Sequence, residues 1–266
     1  MTEYITAIKQ TNPIVMTVAN TITSGDVANG LNALGASPIM PSAPEEAEAM
    51  VNIAQGVTIN VGSINQEQVR QSQLTCQAAN SQGKPLVLDP VAVAGSPYRS
   101  QVVDSLLRDY DFAAIRGNVG EIAFLAGIAW DTHGIDAGSG EADFEQLTSI
   151  AKTCAQKYHT VVVMTGEIDY ISDGETVQSV PFGTPAFATH VGTGDLLSSL
   201  VAAFLAVAQP DEYLEAAYQA ALTFALCGEK VVDKLPGQWF NGLLNELYLV
   251  TPEKLANWET EELHHG

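Results

Sequence analysis

The sequence predicts an α/β fold: a mainly parallel central sheet with helices on both faces. The first observation is the alternation of short β-branched or apolar runs, about five residues each, with helical patterns of ten or more. The second is where the polar residues fall. Gly62, Asp89, Arg116, Asn118, Thr165 and Gly166 each follow an apolar run, at the carboxyl ends of strands where such sheets collect ligands. The third is bulk: 266 residues, 46% hydrophobic, without internal repeat or Ser/Pro linker, read as a single domain over 1–266.

In order, 1–10 reads as a short helix and 14–18 as a strand. Ser24 is a candidate N-cap for a helix over 26–34 that ends at Gly35. A strand over 37–40 follows. Pro44 opens the next helix, with Glu45 and Glu46 at its positive end. The strand over 57–61 precedes a polar helix over 65–82. A strand over 85–88 runs into Asp89-Pro90, and a helix spans 100–107. The run 112–115 leads to Arg116-Gly117-Asn118, and the helix 119–126 closes on Gly127. A Gly- and Asp-rich loop over 131–140 precedes a helix over 142–158 and a strand over 160–164. Segments 169–172 and 176–180, joined at Asp173-Gly174, form a hairpin. Two or three helices follow the turn described next.

The turn Gly192-Thr193-Gly194-Asp195 introduces an apolar helix of small and aliphatic residues. Its glycines let a ligand approach the backbone, and the helix start offers unpaired amides and a positive dipole end to an anion. Asp195 either caps that helix or takes a proton from a hydroxyl while the amides of Thr193 and Gly194 hold a transferring phosphoryl group.

The charge balance limits the partners. With 31 acidic against 11 basic side chains the net charge is −20, which disfavours nucleic acid and anionic membrane. The same field repels a nucleotide, so phosphates need local devices: a helix end, a placed arginine and a divalent cation. Cys76, Cys154 and Cys227 are odd in number and widely spaced, read as core thiols in a reducing cytoplasm. No membrane-spanning run or signal peptide pattern is seen.

Five ordered motifs resemble the hydroxyethylthiazole kinase family of thiamine salvage, within the ribokinase-like superfamily. They are Ala28-Asn29-Gly30 through Ser37-Pro38-Ile39-Met40, then Leu88-Asp89-Pro90-Val91, then Ala114-Ile115-Arg116-Gly117-Asn118 with Glu121-Ile122, then Met164-Thr165-Gly166-Glu167-Ile168-Asp169, and the 192–195 turn. The resemblance implies a three-layer ribokinase-like fold and transfer of the γ-phosphoryl of ATP to the primary hydroxyl of 4-methyl-5-(2-hydroxyethyl)thiazole. It implies Mg²⁺, ATP as co-substrate, and a homotrimer with acceptor sites between subunits. Carried over by position, Met40, Gly192, Asn20 and Gly62 serve the acceptor; Arg116, Thr165, Gly166 and Asn118 serve ATP; Asp89 and Glu121 stand near metal and phosphates. Asp195, with Gly194 and Thr193, carries catalysis.

Each residue has a structural alternative. Asp89 can simply end a strand, and Glu121 can serve its helix dipole. Arg116 can form a surface ion pair, and Thr165-Gly166 can be a turn with Gly166 at positive φ. Met40 can be core, His190 surface or packing, and His264-His265 a frayed tail. Two departures from the family pattern stand out. Segment 16–27 matches poorly, with Gly25-Asp26 where Asn-Phe is usual, so a more polar acceptor is an alternative and Asp26 as a helix cap another. Asp195 replaces a Cys common in thiazole kinases, and a carboxylate is the stronger base. Alternative functions are a kinase for another small alcohol such as a hydroxymethylpyrimidine, a non-catalytic nucleotide binder, and a nucleotide-dependent dehydratase.

Overall fold

A computed structural model describes residues 3–130, 140–232 and 235–265. Eight strands form one sheet in the order β2-β1-β3-β4-β5-β6-β7-β8. Strands β1 (Ile14–Val18), β2 (Ser37–Ile39), β3 (Gly56–Asn60), β4 (Leu86–Asp89), β5 (Ala114–Asn118) and β6 (Val161–Thr165) run parallel. The hairpin of β7 (Asp169–Ser172) and β8 (Val177–Val180) adds an antiparallel edge.

Eleven helices are described: α1 (Glu3–Thr11), α2 (Ser24–Leu34), α3 (Ala47–Ile53), α4 (Gln66–Ser81), α5 (Pro97–Asp109), α6 (Val119–Ala126), α7 (Gly140–Tyr158), α8 (Thr193–Leu205), α9 (Tyr213–Glu229), α10 (Pro236–Leu249) and α11 (Pro252–His265). Alternate strand residues face opposite layers, as a two-residue period requires. Val15, Val87, Ala114 and Val163 pack with α1, α2 and α8–α11. Met16, Leu88, Ile115 and Met164 pack with α3–α7. The three-layer expectation is met. All three cysteines are buried and free.

Helix α8 lies deepest. Every residue from Leu196 to Leu205 is buried, as expected of a helix apolar on all sides. Its packing is tight: a Cβ on Gly30 of α2 would lie 2.3 Å from Leu196 Cδ1, and one on Gly56 of β3 would lie 2.5 Å from the Ala202 carbonyl. The start of α8 is thereby fixed against α2 and the sheet.

Several boundaries differ from expectation. The N-cap of α2 is Thr23, not Ser24, and no side chain caps this helix because the Thr23 hydroxyl is engaged elsewhere. Pro44 opens a 3-10 turn over Pro44–Glu46, and α3 starts behind it. Strand β3 begins and ends one residue early, which makes Asn60 its last residue. Most of the 131–140 loop and the His264-His265 side chains lie outside the described residues. No helix among those described is long and apolar enough to cross a membrane.

Candidate active site

Strand register builds the site. Asn60 pairs with Asp89 across β3 and β4, and Asn118 pairs with Thr165 across β5 and β6. Parallel strands ending together bring these polar residues to one edge, facing the start of α8.

Gly192 is the N-cap of α8, at φ +100. A Cβ there would lie 2.6 Å from Thr23 Cγ2, so glycine is required both by backbone conformation and by space. The first intrahelical bond runs from the Leu196 amide to the Gly192 carbonyl at 2.8 Å. The amides of Thr193, Gly194 and Asp195 precede it and have no partner within the helix. Gly194 packs on Arg116: a Cβ would lie 2.3 Å from Nη1.

Asp195 does not cap its own helix. Its Oδ1 accepts from Asn60 Nδ2 at 3.0 Å. Its Oδ2 accepts from Thr23 Oγ1 at 2.5 Å and Asn20 Nδ2 at 3.4 Å. A carboxylate offers about four lone-pair positions, so these three donors orient it and leave Oδ1 able to accept one more hydrogen bond.

Asp89 is fully buried. Its Oδ2 accepts from Ser198 Oγ at 2.7 Å and Asn60 Nδ2 at 3.0 Å, with Arg116 Nη1 at 4.0 Å. Its Oδ1 has no partner. Burial pushes this carboxyl up to about 7; Arg116 opposes the shift and the nearby Asp195 adds to it. Arg116 also donates from Nη2 to Thr165 Oγ1 at 2.8 Å.

Glu121, expected near the metal, also has a structural task. It completes a capping box with Asn118: Oε2 accepts from the Asn118 amide at 2.9 Å, and Asn118 Oδ1 accepts from the Glu121 amide. Its Oε1 accepts from the Ala92 amide at 2.7 Å, which pins the loop after β4. Both oxygens are thus engaged by backbone. Among the described residues no three His, Cys, Asp or Glu side chains converge on a metal position.

A cleft of about 880 Å³ opens beside this edge. All four expected ATP residues line it, Arg116, Asn118, Thr165 and Gly166, together with Thr193 and Gly194 of the turn. Phe182, Phe187 and Phe224 supply part of its apolar wall. Gly166 is not at positive φ; its amide donates to Asp169 Oδ1 at 3.0 Å. Asp169, also in the cleft, is pushed up to about 6 by burial, against the pull of that amide and of Arg116. A second cleft of about 570 Å³ lies at the amino ends of β4–β6 and contains none of the expected residues.

The expected acceptor residues fall on the other side of the turn. Asn20 accepts at Oδ1 from the Ile22 amide and Ser63 Oγ, both at 2.9 Å. Gly62 donates its amide to Asn60 Oδ1 at 2.8 Å, and a Cβ there would collide with Asn20. Met40, half-buried just beyond β2, packs against the core containing α2 and α8. Sequence reasoning missed Thr23, Asn60, Asp169 and Ser198. It also missed Arg99, whose guanidinium donates to the carbonyls of Val61, Val91 (3.0 Å) and Gly62 (3.1 Å) and so ties two site loops together.

Comparison with known proteins finds relatives over nearly the whole chain. The profile of the hydroxyethylthiazole kinase family matches residues 5–253. A hydroxyethylthiazole kinase from Limosilactobacillus fermentum is 52% identical over 259 residues, covering 97% of this chain and all of that one. The solved hydroxyethylthiazole kinase of Pyrococcus horikoshii superposes with a TM-score of 0.85 at 32% identity, over 96% of this chain and 94% of that one. A ribokinase-like superfamily protein from Enterococcus faecalis, 15% identical with a TM-score of 0.59 over 92% of this chain and 87% of that one, shares the fold alone. With the profile spanning nearly the whole chain and half its residues shared with a full-length relative, the chain belongs to the hydroxyethylthiazole kinase family.

Proposed function

We propose that this kinase transfers the γ-phosphoryl group of ATP to the primary hydroxyl of 4-methyl-5-(2-hydroxyethyl)thiazole, with Asp195 as the base. The observation that carries the reading is the direction of the Asp195 carboxylate. It stands in the first turn of α8, turns away from its own helix, and is held by Asn20, Thr23 and Asn60.

The chemistry follows from position and charge. Phosphoryl transfer needs in-line alignment and neutralisation more than covalent help. A triphosphate lying in the Arg116–Thr165 cleft presents its terminal group to the free amides of Thr193, Gly194 and Asp195. Arg116 adds a planar, permanently charged fork. An alcohol on the Asn20–Gly62 side reaches the remaining lone pair on Asp195 Oδ1. Asp195 accepts the hydroxyl proton as the new P–O bond forms and the bond to the leaving ADP breaks.

The donor set fits a magnesium ion brought in on the triphosphate. Asp89, with its buried and unpartnered Oδ1, is the residue that would hold it, directly or through water. Bound there, the ion would neutralise charge on the phosphates. Glu121, each of whose oxygens keeps a lone pair beside its one backbone bond, would contribute through water.

The family resemblance implies a homotrimer with shared acceptor sites and supports that reading. So do the exposed apolar residues flanking the turn, Ile22 and Val191, 77% and 73% accessible. The free buried cysteines support a cytoplasmic setting.

The deciding experiment is a coupled assay of ADP formation with Mg-ATP and a panel of alcohols. Turnover that depends on the hydroxyethylthiazole is the expected result. Turnover only with a hydroxymethylpyrimidine would reassign the acceptor. Stabilisation by ATP without turnover on any alcohol would make the protein a nucleotide binder. Analytical ultracentrifugation tests the trimer.

A further inference from the structure

We propose that Asp26 and His190 form a clasp that positions the phosphoryl-transfer turn. Both act through Gly192–Asp195 rather than by touching a substrate, and the inference rests on the kinase reading above. The segment leading into α8 is a 3-10 turn (Pro185–Thr189) followed by His190 and Val191. Thr184, Pro185, Phe187 and Ala188 of this segment line the nucleotide cleft. Its far end is the glycine at φ +100 that launches the helix. A backbone bent in this way holds its direction only if something on each side of it is fixed.

His190 supplies the fixed point. Its Nε2 lies 3.0 Å from Asp26 Oδ2 on α2. Its ring lies flat on Phe240 of α10, with centroids 3.7 Å apart and planes within 7°. The ring is therefore held from two helices. The hydroxyl of Thr193 returns to this segment, 3.1 Å from the Phe187 carbonyl and 3.5 Å from the His190 carbonyl. The start of α2 thus touches the catalytic turn at two points and the segment before it at a third: Thr23 donates to Asp195, Thr23 packs under Gly192, and Asp26 holds His190. The nucleotide wall and the base are consequently referenced to one helix end. Slack at His190 would let the wall and the turn move apart.

A surface ion pair that only adds stability is the competing account. The two side chains are 39% and 24% exposed, so as a pair they contribute little to folding. The test separates the two roles. Asp26→Ala, His190→Ala, their double variant and His190→Gln, which retains a donor, are compared with wild type. The readouts are kcat and KM for ATP and acceptor, melting temperature, and hydrogen exchange of amides 190–195 without substrates.

The clasp predicts that each alanine variant lowers kcat about five- to tenfold through misalignment. The double variant is no worse than the weaker single, since the two residues act as a unit. His190→Gln recovers part of the loss, and exchange at 190–195 quickens in both alanine variants while melting changes little. Unchanged exchange overturns the proposal, and so does a kcat within about twofold of wild type. So does a loss of rate that follows melting temperature with exchange unaltered. If wild type fails to turn over any alcohol, the proposed function falls, and the exchange measurement judges the clasp alone.

Discussion

Replacing Gly194 by alanine adds one methyl group between the turn and Arg116. The new Cβ would lie 2.3 Å from Nη1 and 3.0 Å from both Cζ and Nη2, well inside contact distance. A guanidinium on an open surface would swing aside. This one is boxed in: its side chain is 14% exposed, Nη2 is bonded to Thr165 at 2.8 Å, and Nη1 faces Asp89. Making room therefore costs the contact with Thr165 and turns the fork away from the phosphates. Hydrogen bonds to charged groups are worth about 1.5–3 kcal/mol. At about 1.4 kcal/mol per tenfold, losing one such phosphate contact raises KM for ATP roughly 10- to 100-fold. Folding tells a different story. Alanine gains up to about 1 kcal/mol over glycine within a helix, which offsets part of the loss of the charged Arg116–Thr165 bond. A net loss of up to about 2 kcal/mol lowers melting by no more than about 8 °C in a chain of this size. The assay is initial-rate kinetics across ATP concentration beside a thermal melt. A KM for ATP within about twofold of wild type, with melting unchanged, would show that Arg116 is no phosphate clamp.

Three further outcomes follow from the same geometry. Asp195→Asn should lower kcat by ~10²-fold or more while ATP binding survives, as for loss of a general base; an unchanged kcat, measured with ATP binding by calorimetry, would reduce Asp195 to a loop tether. Asn60→Ala removes one of three donors to Asp195 and a donor to Asp89, so kcat should fall about tenfold with KM for ATP little changed, which steady-state kinetics reads directly. Asp89 binds its proton in the folded state up to about 7, whereas its ordinary value is 3.8, so between those limits the folded state holds a proton the unfolded chain has released. Its contribution makes stability fall as pH rises through that window, and Asp169 acts in the same sense up to about 6. Melts of the unliganded protein between pH ~5 and ~8 should show a shallower decline in Asp89→Asn than in wild type; equal slopes would refute the assignment.

Much of the fold was legible because local signals agreed with the sheet. The β-branched run at 14–18 is β1 without adjustment, and 119–126 closed by Gly127 is α6. The cap of α2 was misread because Thr23 and Ser24 are equally good caps in sequence. What separates them is the demand of Asp195, distant in the chain, for the Thr23 hydroxyl. Asp89, Arg116 and Thr165 were legible as polar residues ending strands. Asn60 ends β3 in the same way, but a strand drawn one residue too long hid it among the apolar positions. Glu121 shows a plainer signal: the spacing of Asn118 and Glu121 is that of a capping box, which the structure forms.

The acidity of the chain bears directly on how the site works. Among the site side chains described above, Arg116 and Arg99 are the cations, and Arg99 is spent on three backbone carbonyls. Only Arg116 is left to meet a triphosphate in a molecule of net charge −20. The remaining attraction must come from neutral dipoles, and these are gathered at one point: the open amides of α8, supported from beneath by ten consecutive buried residues. Dipoles fixed in this way need no rearrangement as charge develops, whereas flexible lysines would have to be ordered first. The same economy explains why two acids can stand so close to the phosphate position. Asp89 is buried and inclined to hold a proton, and a single Asn60 amide donates to both carboxylates. That shared donor spaces the two acids, and Asp195 is left as the carboxylate beside the acceptor.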